Sequence, residues 1–61
     1  MDKELLKKRC DILLLSMVGK DLVERWWNGY NKAFNQTPKK QFDENPQSVY
    51  NYLMRSSEGE W

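Results

Sequence analysis

Along the first third of the chain the apolar residues Leu5, Leu6, Cys10, Leu13 and Met17 follow the spacing of one helix face. Ile12, Leu14 and Leu15 fill in around them and widen the apolar arc. A helix with so wide an arc is covered on more than one side. The pattern predicts a helix over about residues 3–18, with Asp2 as its cap and Glu4 favouring its first turn. Gly19 fits the position just past its end, and Lys20 stands at the negative end of its dipole.

A second helix is expected from Asp21, with Glu24 three residues later approximating a capping box. It carries Leu22, Val23, Trp26 and Trp27 and loosens near Asn28-Gly29. The run "NGYNKAF" reads as a turn followed by a short helical turn. Asn-Gly is a hairpin signal, but no alternating strands flank it here, so no hairpin is expected.

The next stretch, "AFNQTPKKQF", is a shaped corner. Thr37 precedes Pro38 and is pushed out of the helical region, which is the geometry of an N-cap. Pro38 fits the first helical position, where its missing N–H leaves nothing unpaired. A short third helix, "PKKQFDE", follows, with Phe34 and Phe42 expected to pack on either side of the corner. Asn45-Pro46 repeats the device and starts a fourth helix, "PQSVYNYLMRSS". Val49, Tyr50, Leu53 and Met54 share one face of it, and Tyr52 lies off that face. The expected fold is all-α: a compact bundle of about four helices, the third short. Residues 1–61 form one domain, made of an N-terminal helix (1–20), a helical part (21–59) and a polar tail (58–61).

Size and composition narrow the chemistry. A chain of 61 residues buries only about 60% of its unfolded surface, so its own core is marginal. With one cysteine, Cys10, no disulfide closes within the chain, and without histidine there is no zinc set. No cofactor or metal is expected. Nothing supplies a proton shuttle or a phosphate loop, and Asp43-Glu44 reads as helix-end polarity, so catalysis is not expected. Cys10 among leucines behaves as a small apolar residue. No apolar run approaches the roughly 20 residues of a spanning helix. Asp2, Glu4 and Asp11 argue against a signal peptide, and an unpaired thiol fits a reducing cytoplasm.

Ten basic and nine acidic residues leave a net charge of +1. Tyr30, Tyr50 and Tyr52 near Lys32, Lys39 and Lys40 could stack bases. The balanced charge points instead to tyrosines at the core edge and away from nucleic acid.

The order of residues from Leu22 to Gly59 resembles the C-terminal toxin-binding domain of the MbcA/ParS/Xre antitoxins. The matching pieces are Trp26 or Trp27, then Asn31, Ala33, Phe34, Thr37-Pro38, Phe42, Val49, Leu53, Arg55 and Gly59. Asn35-Gln36 stands where that family usually carries Gly-Gly or a similar turn. The resemblance implies a stand-alone toxin-binding module without the DNA-binding half, of phage or mobile-element type. Its partner would be a RES-type toxin, which consumes NAD⁺, or a host enzyme. It also implies contacts through Arg55, Gly59 and the tail "EGEW".

The function expected is therefore a non-catalytic, cytoplasmic module that binds and blocks another protein. The alternative is a small homo-oligomeric or DNA-associated regulator, with a homodimer seam on the first helix around Leu14 and Leu15. The candidate partner-binding residues are Trp27, Tyr30, Arg55, Gly59 and Trp61, and the structural corner is Phe34, Thr37, Pro38 and Phe42. Trp26 and Trp27 lie about 100° apart on a helix, so a small core has room for one of them. Trp26 is assigned inward and Trp27 outward, where tryptophan is over-represented at hot spots. The reverse assignment satisfies the same spacing. Trp61 either frays as termini do or inserts into a partner's groove, with Glu58, Glu60 and its carboxylate suited to a basic site.

Overall fold

Thr37 and Asn45 set two helix starts through their own side chains. In the computed structural model, which describes residues 2–57, the chain forms α1 (Lys3–Met17), α2 (Lys20–Asn28), α3 (Pro38–Glu44) and α4 (Pro46–Ser57). The fold is all-α, and α3 is short, as expected. Thr37 Oγ1 accepts the Lys40 N–H at 3.2 Å, and Pro38 opens α3. Asn45 Oδ1 accepts the Ser48 N–H at 3.3 Å, and Pro46 opens α4. A polar chain ties the corner together. The Gln36 amide donates to Gln41 Oε1 at 2.8 Å, the Gln41 amide to Ser48 Oγ at 2.7 Å, and the Ser48 hydroxyl to the Asn45 carbonyl at 2.7 Å.

The two aspartate caps do not form. Asp2 occupies the N-cap position of α1, but its side chain makes no capping bond; its carbonyl accepts the Leu6 N–H. Asp21 lies inside the first turn of α2, because that helix begins one residue earlier at Lys20 with Gly19 as its N-cap. The cause is the shortness of the link. Only Val18 and Gly19 separate the two helices, and Gly19 reverses the chain at φ +86°. A Cβ there would meet nothing within 4 Å, so backbone conformation and not space favours glycine.

The segment after α2 makes the short helical turn expected and adds a bridge that was not. Asn31 and Gln36 form an isolated antiparallel bridge that closes a turn over residues 32–35. Asn31 organises it. Its N–H donates to the Gln36 carbonyl, its carbonyl accepts from Phe34 and Asn35, and its Oδ1 accepts the Ala33 N–H at 2.9 Å. Asn35 takes the left-handed conformation at φ +58°, which asparagine tolerates better than most residues.

The helices pack in a ring. α1 lies against α2 and α4, and α3 against α2 and α4, while the backbones of α1 and α3, and of α2 and α4, stay apart. Leu6, Cys10 and Leu14 meet Trp27, Phe42, Val49 and Leu53 at the centre. Each helix thus contributes to one core. Leu14, fully buried, is core and not part of a dimer seam, whereas Leu5, Ile12 and Leu15 face solvent. Phe42 is buried, and Phe34 is half-buried against Tyr52 with ring centroids 5.0 Å apart. The tyrosine off the main face of α4 is therefore the one that covers the turn.

Two consequences follow for stability. Removing the cap with Thr37→Ala should cost about 1 kcal/mol, read as a lower urea midpoint at unchanged slope. Cys10 is also sensitive to pH. Its burial, and next the charge of Asp11, push the thiol up to about 11, with Lys7 opposing. The unfolded thiol ionises nearer 9.0, so the native state holds this proton more tightly through that window. The stabilisation is complete below the unfolded value and is lost as pH rises through the folded one, by on the order of 2 kcal/mol. Urea unfolding on either side of the window should show this fall in the wild type and a smaller one in Cys10→Ala. Equal falls in both would exonerate the thiol.

Candidate interaction surface on the second helix

α2 has nine residues and two adjacent tryptophans, and their orientation decides what it presents to solvent. Trp27 is the inward one. Only 5% exposed, it donates from Nε1 to Asp11 Oδ1 at 2.8 Å. Its ring meets Phe42 edge-on with centroids 5.5 Å apart, and the Lys7 ammonium sits 4.7 Å from the ring centroid. Lys7 also pairs with Asp11 at 3.2 Å. Trp27 is thus held by an acceptor, a cation and an aromatic edge from two other helices. The outward placement expected for Trp27 is reversed. Its side chain is core, and a partner touching the free domain reaches little of it.

Trp26 is the half-buried member of the pair, stacked edge-on to Trp27 with centroids 5.2 Å apart. One of its flanks joins an open groove at the end of α2, lined by Val18, Leu22, Arg25, Gly29 and Tyr30. Leu22 and Tyr30 are strongly exposed, Tyr30 at 67%. The Tyr30 hydroxyl donates to Asn35 Oδ1 at 2.7 Å, which anchors the ring beside the turn. Leu22 and Trp26 are four residues apart on α2 and so share a face, while Tyr30 follows the extended Gly29 and joins them from the turn.

The remaining expected site residues are dispersed. Arg55 is exposed on the last turn of α4, beside Asn51, Tyr52 and Met54, in a separate depression. Gly59 and Trp61 lie outside the described residues. Tyr30 and Arg55 therefore do not share a groove. Phe34, Thr37, Pro38 and Phe42 hold the corner and the core as described above.

Among the described residues lining the α2 groove there is no carboxylate or thiol. Among the described residues no group of three His, Cys, Asp or Glu side chains is placed to hold a metal ion. No helix among them is long and apolar enough to cross a membrane. What the surface offers is an aromatic and aliphatic patch with one guanidinium. No family model, curated protein or solved structure matches the chain.

The tryptophan pair can be separated by mutation. Trp27→Ala removes a buried indole and leaves Asp11 with Lys7 alone, an expected loss of about 3–5 kcal/mol. A domain of this size has roughly 3–9 kcal/mol in total, so much of the chain should unfold. Trp26→Ala should cost about 1–2 kcal/mol and keep the helical signal. Circular dichroism with thermal melts reads both. Comparable losses would mean that the two rings share the core equally.

Proposed function

We propose that the chain is a non-catalytic module that binds another protein and blocks it, and that the end of α2 makes the contact. One observation carries this reading: Leu22, Arg25, Trp26 and Tyr30 stand together on one open groove. Trp, Tyr and Arg are the residues most enriched at interface hot spots. The side chains around them are anchored, Trp26 by Trp27 and Tyr30 by Asn35, so little conformational freedom is lost on binding.

The sharper form of the proposal is an antitoxin-like toxin-binding domain of phage or mobile-element type, acting on a RES-type toxin or a host enzyme in the cytoplasm. Two local features support it. The turn built on Asn31 puts Asn35 in the left-handed conformation where that family carries glycine. Thr37 and Pro38 then start α3 with the side-chain cap the motif requires. On this reading Arg55, with Gly59 and Trp61 beyond it, forms a second contact.

The test is capture of partners by the tagged chain in cells of its natural host, read by mass spectrometry. Trp26→Ala and Tyr30→Ala variants run in parallel, with their fold checked by circular dichroism. The expected result is one stoichiometric protein whose capture falls by roughly tenfold in both variants. A RES-type toxin in that position would fix the family. Recovery of only the chain itself, or of nucleic acid, would overturn the proposal in favour of a self-associating or DNA-associated regulator.

A further inference from the structure

α1 and α4 pack along one another, and one side of their seam stays open. Leu5 and Ile12 of α1 and Tyr50 and Met54 of α4 line a groove of about 410 Å³ there, with Lys8 and Arg9 along its α1 side. Leu5 and Ile12 are seven residues apart, two helical turns, so they form a row about 10 Å long. This row points away from Leu6, Cys10 and Leu14, which fill the core. Ile12 is 64% exposed. A single exposed leucine is ordinary, but here the apolar side chains run together across two helices.

The charges are one-sided. Among the described residues no carboxylate lines the groove. Lys3 and Lys7, on the other flank of α1, pair with Asp43 and Asp11. Neither Lys8 nor Arg9 has an ion pair among the described residues. Asp11 is already engaged by Trp27 and Lys7, and Glu4 lines the neighbouring depression with Lys3 and Lys7.

We infer that this groove is a second docking site, and that its occupant is an amphipathic helix with acidic flanks. An apolar stripe on such a helix matches the Leu5–Ile12 row, and its carboxylates meet Lys8 and Arg9 in the helix-in-groove manner. Met54 can adapt its shape to differing side chains. A second copy of the chain fits less well. A two-fold interface centred on Ile12 would bring the Lys8 and Arg9 pairs of both copies together with no carboxylate between them. The inference rests on the reading of the chain as an interaction module, but not on the α2 surface.

The probe is a fluorescent peptide of about 16 residues, long enough to populate a helix, with leucines along one face and glutamates flanking them. Its twin carries lysines in place of the glutamates. Anisotropy with the full chain should show saturable binding of the acidic peptide that weakens with added salt. The lysine twin should bind roughly tenfold more weakly or not at all. Ile12→Glu should lower affinity for the acidic peptide by roughly tenfold. The double variant Lys8→Glu/Arg9→Glu should prefer the lysine twin. All three positions are exposed, so the helical signal should persist in every variant. Amide shift changes on peptide addition should cluster at residues 5–13 and 50–54.

Equal binding of the two peptides, no binding of either, or shifts confined to the end of α2 would overturn the inference. So would a dimer in sedimentation that Ile12→Glu dissociates. Groove shifts that appear on removing Glu58–Trp61 without peptide would assign the groove to the chain's own tail and also overturn it. The two readings fail separately. Failure of the wild-type chain to bind the acidic peptide while host capture succeeds sinks the groove alone, while peptide binding without any captured host protein sinks the α2 reading alone.

Discussion

The hydrogen bond from the Trp27 indole to Asp11 fixes the rest of the molecule. A buried indole is a large apolar body with one N–H that must be satisfied, and leaving it unpaired costs about 1–3 kcal/mol. Asp11 supplies the acceptor from the flank of α1 while keeping partial contact with water. α2 is short and attached to α1 by a two-residue link, so little else sets its rotation about its own axis. Once Trp27 points at α1, its edge is presented to Phe42 and α3 is drawn in. Trp26 and Leu22 are turned outward by the same rotation, and Tyr30 joins them from the turn, where Asn35 holds it. The candidate surface is the remainder of the core contact.

The ring of helices explains why grooves and exposed aliphatic side chains accompany so small a core. With α1 and α3, and α2 and α4, held apart, the core side chains of the described residues form one central cluster and not an extended layer. Side chains one turn further round any helix have nothing to cover them. Lys3 and Lys7 meet this partly by lying near the Phe42 and Trp27 rings, with Asp43 and Asp11 as counter-charges. Those pairs are exposed enough that water and salt weaken them. They shield the aromatic edges more than they strengthen the fold. On the outer side of α1, Lys8 and Arg9 flank Leu5 and Ile12 with no acid paired to them among the described residues.

What could be read from the sequence was the part settled by neighbours in the chain. Thr37-Pro38 and Asn45-Pro46 define the starts of α3 and α4 because a cap is a contact over three residues. The core faces of α1 and α4 were legible from periodicity, although Leu13 and Leu14 exchange weight. The tryptophan assignment was not legible, because Asp11, the residue that decides it, is sixteen positions away. Asp21 looks like a cap by type, but Gly19 forces the chain to turn and start α2 before it. The Asn-Gly hairpin signal at residues 28–29 was rightly discounted, yet a bridge forms just beyond it, where the Asn31 side chain closes the turn on itself. Side chain to backbone bonds of this kind leave no trace in hydrophobic periodicity.

Folding and the proposed binding draw on nearly separate sets of side chains here. The core uses Leu6, Cys10, Leu14, Trp27, Phe42, Val49 and Leu53. The open surfaces use Leu5, Ile12, Leu22 and Tyr30, all exposed, and meet the core through partly buried side chains packed against it, among them Leu13, Val18, Trp26 and Tyr50. Each of these exposed residues leaves apolar surface in contact with water in the free chain, at a cost in free energy. A partner that covers these residues recovers that free energy, at roughly 25 cal/mol per Å² of apolar surface removed from water. In a domain with so little stability to spare, such a partner also shifts the folding equilibrium toward the native state by mass action. In the proposed complex, occupancy and foldedness would thus be coupled, with the bound form the better folded one.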